Sequence, residues 1–381
     1  MTTSVPVGTP RQPGTTPATS CMMIQNTGAL GLATLNRPVA LNALNQDMQR
    51  TLASALTRWV ADPQIYAAIL QSTCPRAFCV GRDILEIADW GASRFDLLET
   101  AIAEEYALIW RIECFTKPMV SLIDGLVMGS GVGITHYGTH RVGADNYAFA
   151  MPEAGIGFFP DVGATWFLSQ MPDCVGVYLG LTGHRIGTAD ALALGLLTHC
   201  IPAARFGEIQ RALELAEPVD PVLDGRHVDP GPAPLAARRG AIQRCFCELT
   251  IEAIMTRLEG ERGADQPWAR ATLDVMSAKS PTSLKLTLRQ LQKGVHLQMA
   301  GALTLKPALE LEYQLAVQVF RGHDFYEGVR AVLRDKDHAP IWRPSSHAGV
   351  TDSAIDALFA PLAGPGLALP PRSSGPPAVD Y

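Results

Sequence analysis

The 381-residue chain has no basic run: 31 Lys and Arg against 37 Asp and Glu leave a net charge of −6, spread along the sequence. The electrostatic footprint of nucleic-acid binding is therefore missing, and a small-molecule partner is expected. Charged residues make up only 18% and hydrophobic residues 47%, enough to bury the core of one large or two ordinary domains. The first 20 residues, "MTTSVPVGTPRQPGTTPATS", lack an apolar h-region and carry one Arg. They read as a disordered tail, with a transit peptide as the alternative. The most apolar window, "PMVSLIDGLVMGSGVGITHYG" (118–138), is broken by Asp124 and several glycines. It reads as a buried strand entering a Gly-rich turn, with no membrane span.

The eight cysteines (21, 74, 79, 114, 174, 200, 245 and 247) are irregularly spaced, which reads as reduced core residues without a disulfide framework. Cys245-x-Cys247 is too tight for the usual zinc pair, so no metal is expected. Neither G-x-x-x-x-G-K-[ST] nor H-E-x-x-H occurs, and His136 and His140, spaced to share a helix face, read as structural. Reduced cysteines imply a cytoplasmic chain, or one of the mitochondrial matrix if the tail is a transit peptide.

What is present is a repeated strand–helix order. "GALGLATLN" (28–36) alternates and stops at Arg37-Pro38, and Asn45 precedes a helix on which Met48, Leu52, Leu56, Trp59 and Val60 recur at helical spacing. "AAILQS" (67–72) and "KPMVSLIDGLVMG" are further strands, separated by a long helical stretch (84–115) interrupted near Gly91. The order predicts an α/β core. "EPVDPVLDGRHVDPGPAPLAARRG" reads as a linker or exposed loop. Beyond it the pattern is helical, with Ser280 as an N-cap, Pro281 at the first position and Gly294 as the stop of one helix. The expected organisation is a tail (1–21), a core (22–216), a linker (217–240), a helical region (241–350) and a second disordered tail (364–381).

Two Gly-containing turns follow strands and precede helices: "FCVGRD" at 78–83 and "MGSGVG" at 128–133. Such turns bring backbone N–H groups to an anion or a developing oxyanion, and two facing turns would make a two-donor hole. Asp83 reads as an N-cap. In "MPEAGIGFFPDVGATW" (151–166), Glu153 and Asp161 stand among apolar residues, Gly and Pro. A buried carboxylate is costly unless paired, hydrogen-bonded or neutralised, so these acids either cap backbone or do chemistry. Asp161, before a helical segment, fits both roles.

In their order, "ATLNRPVALNALN", "RAFCVGRDI", "KPMVSLIDGLVMGSGVG" and "FAMPEAGIGFFPDVGATWFL" resemble the crotonase (enoyl-CoA hydratase/isomerase) superfamily. "SPTSLKLTLRQL" and the 310–344 segment resemble its 3-hydroxyisobutyryl-CoA hydrolase branch. The resemblance spans roughly residues 22–350. It implies an α/β spiral of ββα repeats followed by helices that complete an acyl-CoA site. It also implies an oxyanion hole from the backbone N–H groups of Arg82 and Ser130. CoA contacts are implied for Arg37, Ala40, Asn42, Ala43, Phe78, Gly81, Asp83, Gly129 and Gly131. The side chain of Arg82 would crowd the pocket or reach a CoA phosphate.

Hydratases of the superfamily carry a first catalytic Glu where this chain has Gly133, while their second matches Glu153. The hydrolase branch pairs the Glu of "MPE" with the Asp of "FPDVG", here Glu153 and Asp161. The implied reaction is hydrolysis of a 3-hydroxyacyl-CoA, with 3-hydroxyisobutyryl-CoA as the expected substrate, in valine degradation. Glu153 acts as general base or as nucleophile, and Asp161 holds the 3-hydroxyl or assists proton transfer. Two carboxylates in one pocket would raise one pKa. No cofactor is implied beyond the CoA of the substrate. The alternatives are an enoyl-CoA hydratase/isomerase and a catalytically silent acyl-CoA-binding protein. The superfamily implies a trimer or hexamer; a helical half covering the site within one chain implies a monomer.

Overall fold

The computed structural model describes residues 20–364 and 366–372. Most of the N-terminal tail (1–19) and the last nine residues lie outside them. The strands are β1 (Met22–Thr27), β2 (Leu30–Leu35), β3 (Ala67–Ser72), β4 (Ala77–Cys79), β5 (Met119–Ile123), β6 (Leu126–Met128), β7 (His140–Gly143), β8 (Ala148–Ala150), β9 (Ile186–Gly187) and β10 (His199–Cys200). They form two sheets, ordered β1-β2-β3-β5-β7-β10 and β4-β6-β8-β9. All neighbours are parallel except β1 with β2 and β8 with β9.

β3, β5 and β7 enter the larger sheet, and the strand that follows each, β4, β6 or β8, enters the smaller one. Helices Ile84–Trp90 and Phe95–Glu113 follow β4, and helix Ser130–His136 follows β6. The chain thus winds as strand–strand–helix units, a mixed α/β spiral.

β2 is buried along its whole length because both faces of its sheet are covered. On one side lies the Gln46–Ala61 helix, which buries Met48, Leu52, Leu56 and Trp59 as its spacing predicts; its Asn45 cap accepts from Met48 N at 2.9 Å. On the other, Leu30, Leu32, Ile69 and Leu122 meet Ile209 and Leu213 of one helix and Val222 and Leu223 of the next. The stretch read as a linker therefore holds helix Val219–Asp224, whose apolar residues close this second core.

Several expectations change. Gly294 does not stop its helix, which runs Pro281–Met299 with Ser280 capping Ser283 N as expected. A methyl at Gly294 would stand 2.5 Å from Thr165 O, so this glycine lets two segments approach. Cys174 and Cys247 form a disulfide, with 5.5 Å between their Cα atoms. They lie 73 residues apart and meet because helices Val175–Thr182 and Arg239–Phe246 pack together, which spacing along the chain does not reveal. His136 ends a helix and His140 opens β7, so they share no helix face. Part of the stretch expected as a C-terminal disordered tail lies against the Phe95–Glu113 helix. There Trp110 Nε1 donates to Pro370 O at 2.8 Å and Arg372 pairs with Glu113 at 3.0 Å.

Candidate active site

β4, β6 and β8 are adjacent and parallel, so three turns leave the same end of the smaller sheet side by side. In open α/β sheets this carboxyl end is where ligands sit. The turns are Val80–Asp83, Gly129–Ser130 and Met151–Glu153. A methyl at Gly81 would stand 3.4 Å from Ser130 N and 3.6 Å from Gly129 Cα, so the first two turns face one another. Gly129 has φ +47, and a Cβ there would lie 3.0 Å from Glu153 Oε1. Only glycine satisfies both demands.

Leu44 bridges to Arg82 as a parallel pair: Leu44 N donates to Gly81 O (2.8 Å) and Asp83 N donates to Leu44 O (2.9 Å). In that pattern the Arg82 N–H points away from Leu44. Ser130 is the first residue of its helix, so its N–H has no intrahelical acceptor. Asp83 caps the Ile84–Trp90 helix and accepts Arg37 Nη1 at 2.7 Å; the same nitrogen donates to Ala43 O at 3.0 Å. Arg37, Ala40, Asn42 and Ala43 thus belong to a loop tied to the first turn. Asn42 is fully buried, accepting from Arg37 N and donating to Ser72 Oγ and Phe78 O, so its polar atoms serve the loop. The Phe78 side chain is buried in the core, and Gly131 lets Cys79 approach, a Cβ there meeting Cys79 O at 2.5 Å.

The Arg82 side chain turns into the protein. It is 7% exposed, and Nη1 donates to Gln49 Oε1 (2.8 Å), Ala101 O (3.1 Å) and Glu105 Oε2 (3.0 Å). The side chain is engaged in an internal ion pair with Glu105. Glu105, on the buried face of the Phe95–Glu113 helix, pairs with the guanidinium through Nη1, while Nε and Nη2 are buried with no hydrogen-bond partner among the described residues.

Glu153 opens a short 3₁₀ turn (Glu153–Ile156), and its Oε2 is buried without a hydrogen-bond partner among the described residues. Burial pushes its carboxyl up to about 8, against the pull of a bond from its own N–H and of the Lys279 ammonium. Burial likewise holds Asp161 well above the carboxylate range, reinforced by the negative charges of Glu105, Glu153 and Glu312. Tyr106 donates its hydroxyl to Asp161 Oδ2 at 2.9 Å. Asp161 does not act as a side-chain cap: the N-cap of helix Ala164–Phe167 is Gly163, and Glu312 accepts from Gly163 N (2.6 Å) and Thr165 N (2.8 Å). Both acids are therefore raised, where the sequence reading expected one.

Position 133, where a hydratase would carry its first Glu, is tightly packed, and a side chain there requires its neighbours to shift. A Cβ there would meet Ile109 Cδ1 at 2.8 Å and Val162 Cβ at 3.0 Å. Sequence reasoning missed Tyr106, Lys279 and Glu312. A signal existed for two: Tyr106 shares a helical face with Ile102 and Ile109, and Glu312 one with Ala308, Leu309 and Ala316, all buried. Polar groups on such stripes need partners.

Fold and site together define an α/β enzyme with a buried carboxylate centre at the carboxyl end of a small parallel sheet. The family described as "Enoyl-CoA hydratase/isomerase" matches residues 30–359, and the chain belongs to it. Curated relatives named "3-hydroxyisobutyryl-CoA hydrolase, mitochondrial" include one from Xenopus tropicalis, 38% identical, covering 91% of this chain and 90% of the relative. The one from Homo sapiens is 35% identical, with the same coverage. Among solved structures, a carnitinyl-CoA dehydratase from Mycobacterium thermoresistibile superposes with a TM-score of 0.85 at 34% identity, covering 92% of this chain and 99% of that one. An enoyl-CoA hydratase from Rhodobacter sphaeroides superposes with a TM-score of 0.84 at 34% identity, over 92% and 100%.

Proposed function

We propose that this protein hydrolyses a 3-hydroxyacyl-CoA thioester, 3-hydroxyisobutyryl-CoA foremost, to the free hydroxy acid and CoA. The relatives that share nine-tenths of its length carry that activity in their names. One observation separates this reading from the hydratase titles of the solved neighbours. Adding water across a double bond calls on two acids, and the place of the first is a glycine closed in by Ile109 and Val162. The second acid beside Glu153 is Asp161, reached from a different turn.

In this reading the thioester carbonyl lies between the N–H groups of Arg82 and Ser130, which stabilise the charge that builds on oxygen; losing one such donor typically costs ~3–4 kcal/mol. Glu153 either takes a proton from the attacking water or attacks the carbonyl carbon, expelling CoA thiolate and leaving an anhydride that water opens. Both routes need the ionised carboxylate. Asp161, with the Tyr106 hydroxyl on one oxygen, engages the substrate 3-hydroxyl or the departing proton. The reaction calls for no cofactor beyond the CoA that the substrate carries. The mitochondrial relatives support a matrix location if the source is eukaryotic. The superfamily resemblance supports a trimer or hexamer.

The test is thiol trapping across a panel of 3-hydroxyacyl-CoAs, run beside hydration of crotonyl-CoA, for the wild type, Glu153→Gln and Asp161→Asn. Thiol release by the wild type and its loss in Glu153→Gln is the expected result. No thiol from any ester overturns the reading; crotonyl-CoA hydration in its place establishes the hydratase, and binding without turnover establishes a silent acyl-CoA-binding protein.

A further inference from the structure

The turn that carries Asp161 has a backbone its own residues do not favour. Val162 stands at φ +57 and Gly163 at φ +88. A β-branched residue avoids this left-handed region, so something outside the turn must hold it. Side chains from three distant elements do so. Tyr137 donates its hydroxyl to Val162 O at 2.7 Å. Gln290, on helix Pro281–Met299, donates to Pro160 O (2.7 Å) and Thr165 Oγ1 (2.8 Å). Glu312, on helix Leu305–Val319 and wholly buried, takes Gly163 N on Oε2 and Thr165 N on Oε1.

We propose that Glu312 is a positioning residue for the hydrolysis: its carboxylate clamps two amides of the left-handed turn and so holds Asp161 beside Tyr106 and Glu153. Among the anchors it alone binds the backbone on the helix side of Val162 through two main-chain amides at once. A carboxylate offers acceptors at both oxygens, whereas a glutamine offers one oxygen and turns an NH₂ toward the second amide. Glu312→Gln therefore releases half of the clamp while keeping size and shape. Once released, Val162 can return to the right-handed or extended backbone it prefers, and Asp161 swings with it.

This inference rests on the hydrolase reading, so its test needs one readout that requires no substrate. Hydrogen exchange of the Gly163 and Thr165 amides is expected to accelerate at least tenfold in Glu312→Gln. In the thiol-release assay kcat is expected to fall at least tenfold with KM within about twofold. Val162→Gly placed in the Glu312→Gln background is expected to restore several-fold of the lost kcat, since glycine adopts a positive φ freely. A merely structural Glu312 gives no such rescue. Unchanged exchange and unchanged kcat in a folded Glu312→Gln overturn the proposal, as does a kcat loss that Val162→Gly leaves untouched. If Glu312→Gln does not fold, Tyr137→Phe, which removes the support at Val162 O, takes its place. A lowered kcat rescued by Val162→Gly supports the clamp, and an unchanged kcat overturns it. A wild type that releases no thiol fails the hydrolase reading alone, because the exchange result stands without it.

Discussion

The Tyr106 hydroxyl donates to Asp161 Oδ2 at 2.9 Å inside the protein, joining a residue of the Phe95–Glu113 helix to the second acid of the "FPDVG" turn. The bond favours the ionised form of Asp161, against burial and the charges of Glu105, Glu153 and Glu312. Tyr106→Phe removes that one support. Hydrogen bonds to charged groups contribute ~1.5–3 kcal/mol, so kcat for thiol release should fall about 10- to 100-fold. Steady-state kinetics on the 3-hydroxyacyl ester check this; wild-type kcat in the variant would leave the bond without a catalytic role.

Glu153 is raised by burial from 4.5 to about 8. Because the ionised carboxylate is the reactive form, kcat/KM should climb as pH rises toward about 8, and that limb should be absent from the residual activity of Glu153→Gln. The same shift has a stability consequence. The folded protein holds this proton more tightly than the unfolded chain, so the contribution is complete below about 4.5 and is lost as pH rises through about 8. Each pKa unit corresponds to ~1.4 kcal/mol. Calorimetry should therefore show Glu153→Gln gaining on the wild type in Tm between pH 5 and pH 9; a constant difference between the two contradicts the shift.

Lys279 is nearly buried, and its ammonium pulls the Glu153 carboxyl down while burial lowers its own pKa. Lys279→Met removes the opposing charge. The acid limb of the pH–rate profile should then move to higher pH, with the plateau rate changed less than the position of the limb. A limb that stays in place would separate Lys279 from Glu153.

The Arg82–Glu105 pair lies inside the protein, with side chains 4% and 3% exposed. Removing one partner of a buried pair typically costs ~3–5 kcal/mol, because the other charge is left uncompensated. Arg82→Ala should lose about that much stability in urea unfolding. Arg82→Met combined with Glu105→Leu should recover most of it. An Arg82→Ala variant as stable as the wild type would show that the pair carries no such weight.

Much of this organisation is local and was legible. Asn45, Asp83 and Ser280 each announce a helix start because a short polar side chain before an apolar periodic run can accept a first-turn N–H, and all three do. Gly294 misled for the same reason: a glycine late in a helical pattern reads as a stop, and the Thr165 carbonyl it makes room for belongs to a segment 129 residues earlier. Nothing near Arg82 in the sequence announces its internal partner, Glu105, which a helix 23 positions on supplies. The Cys174–Cys247 pairing is equally invisible from spacing.

By itself the sequence determined the strand–helix order, the two glycine turns and the two acids of residues 151–166, since each depends on residues a few positions apart. Tertiary structure alone decided that β4, β6 and β8 lie side by side and bring Gly81, Ser130 and Glu153 to one end of a sheet. It alone set Tyr106 and Glu312, from distant helices, and Lys279, from the turn between two further helices, around those acids. The physical reason is burial. A carboxylate's chemistry is set by which charges and donors surround it once water is excluded, and those neighbours are chosen by packing rather than by position in the chain.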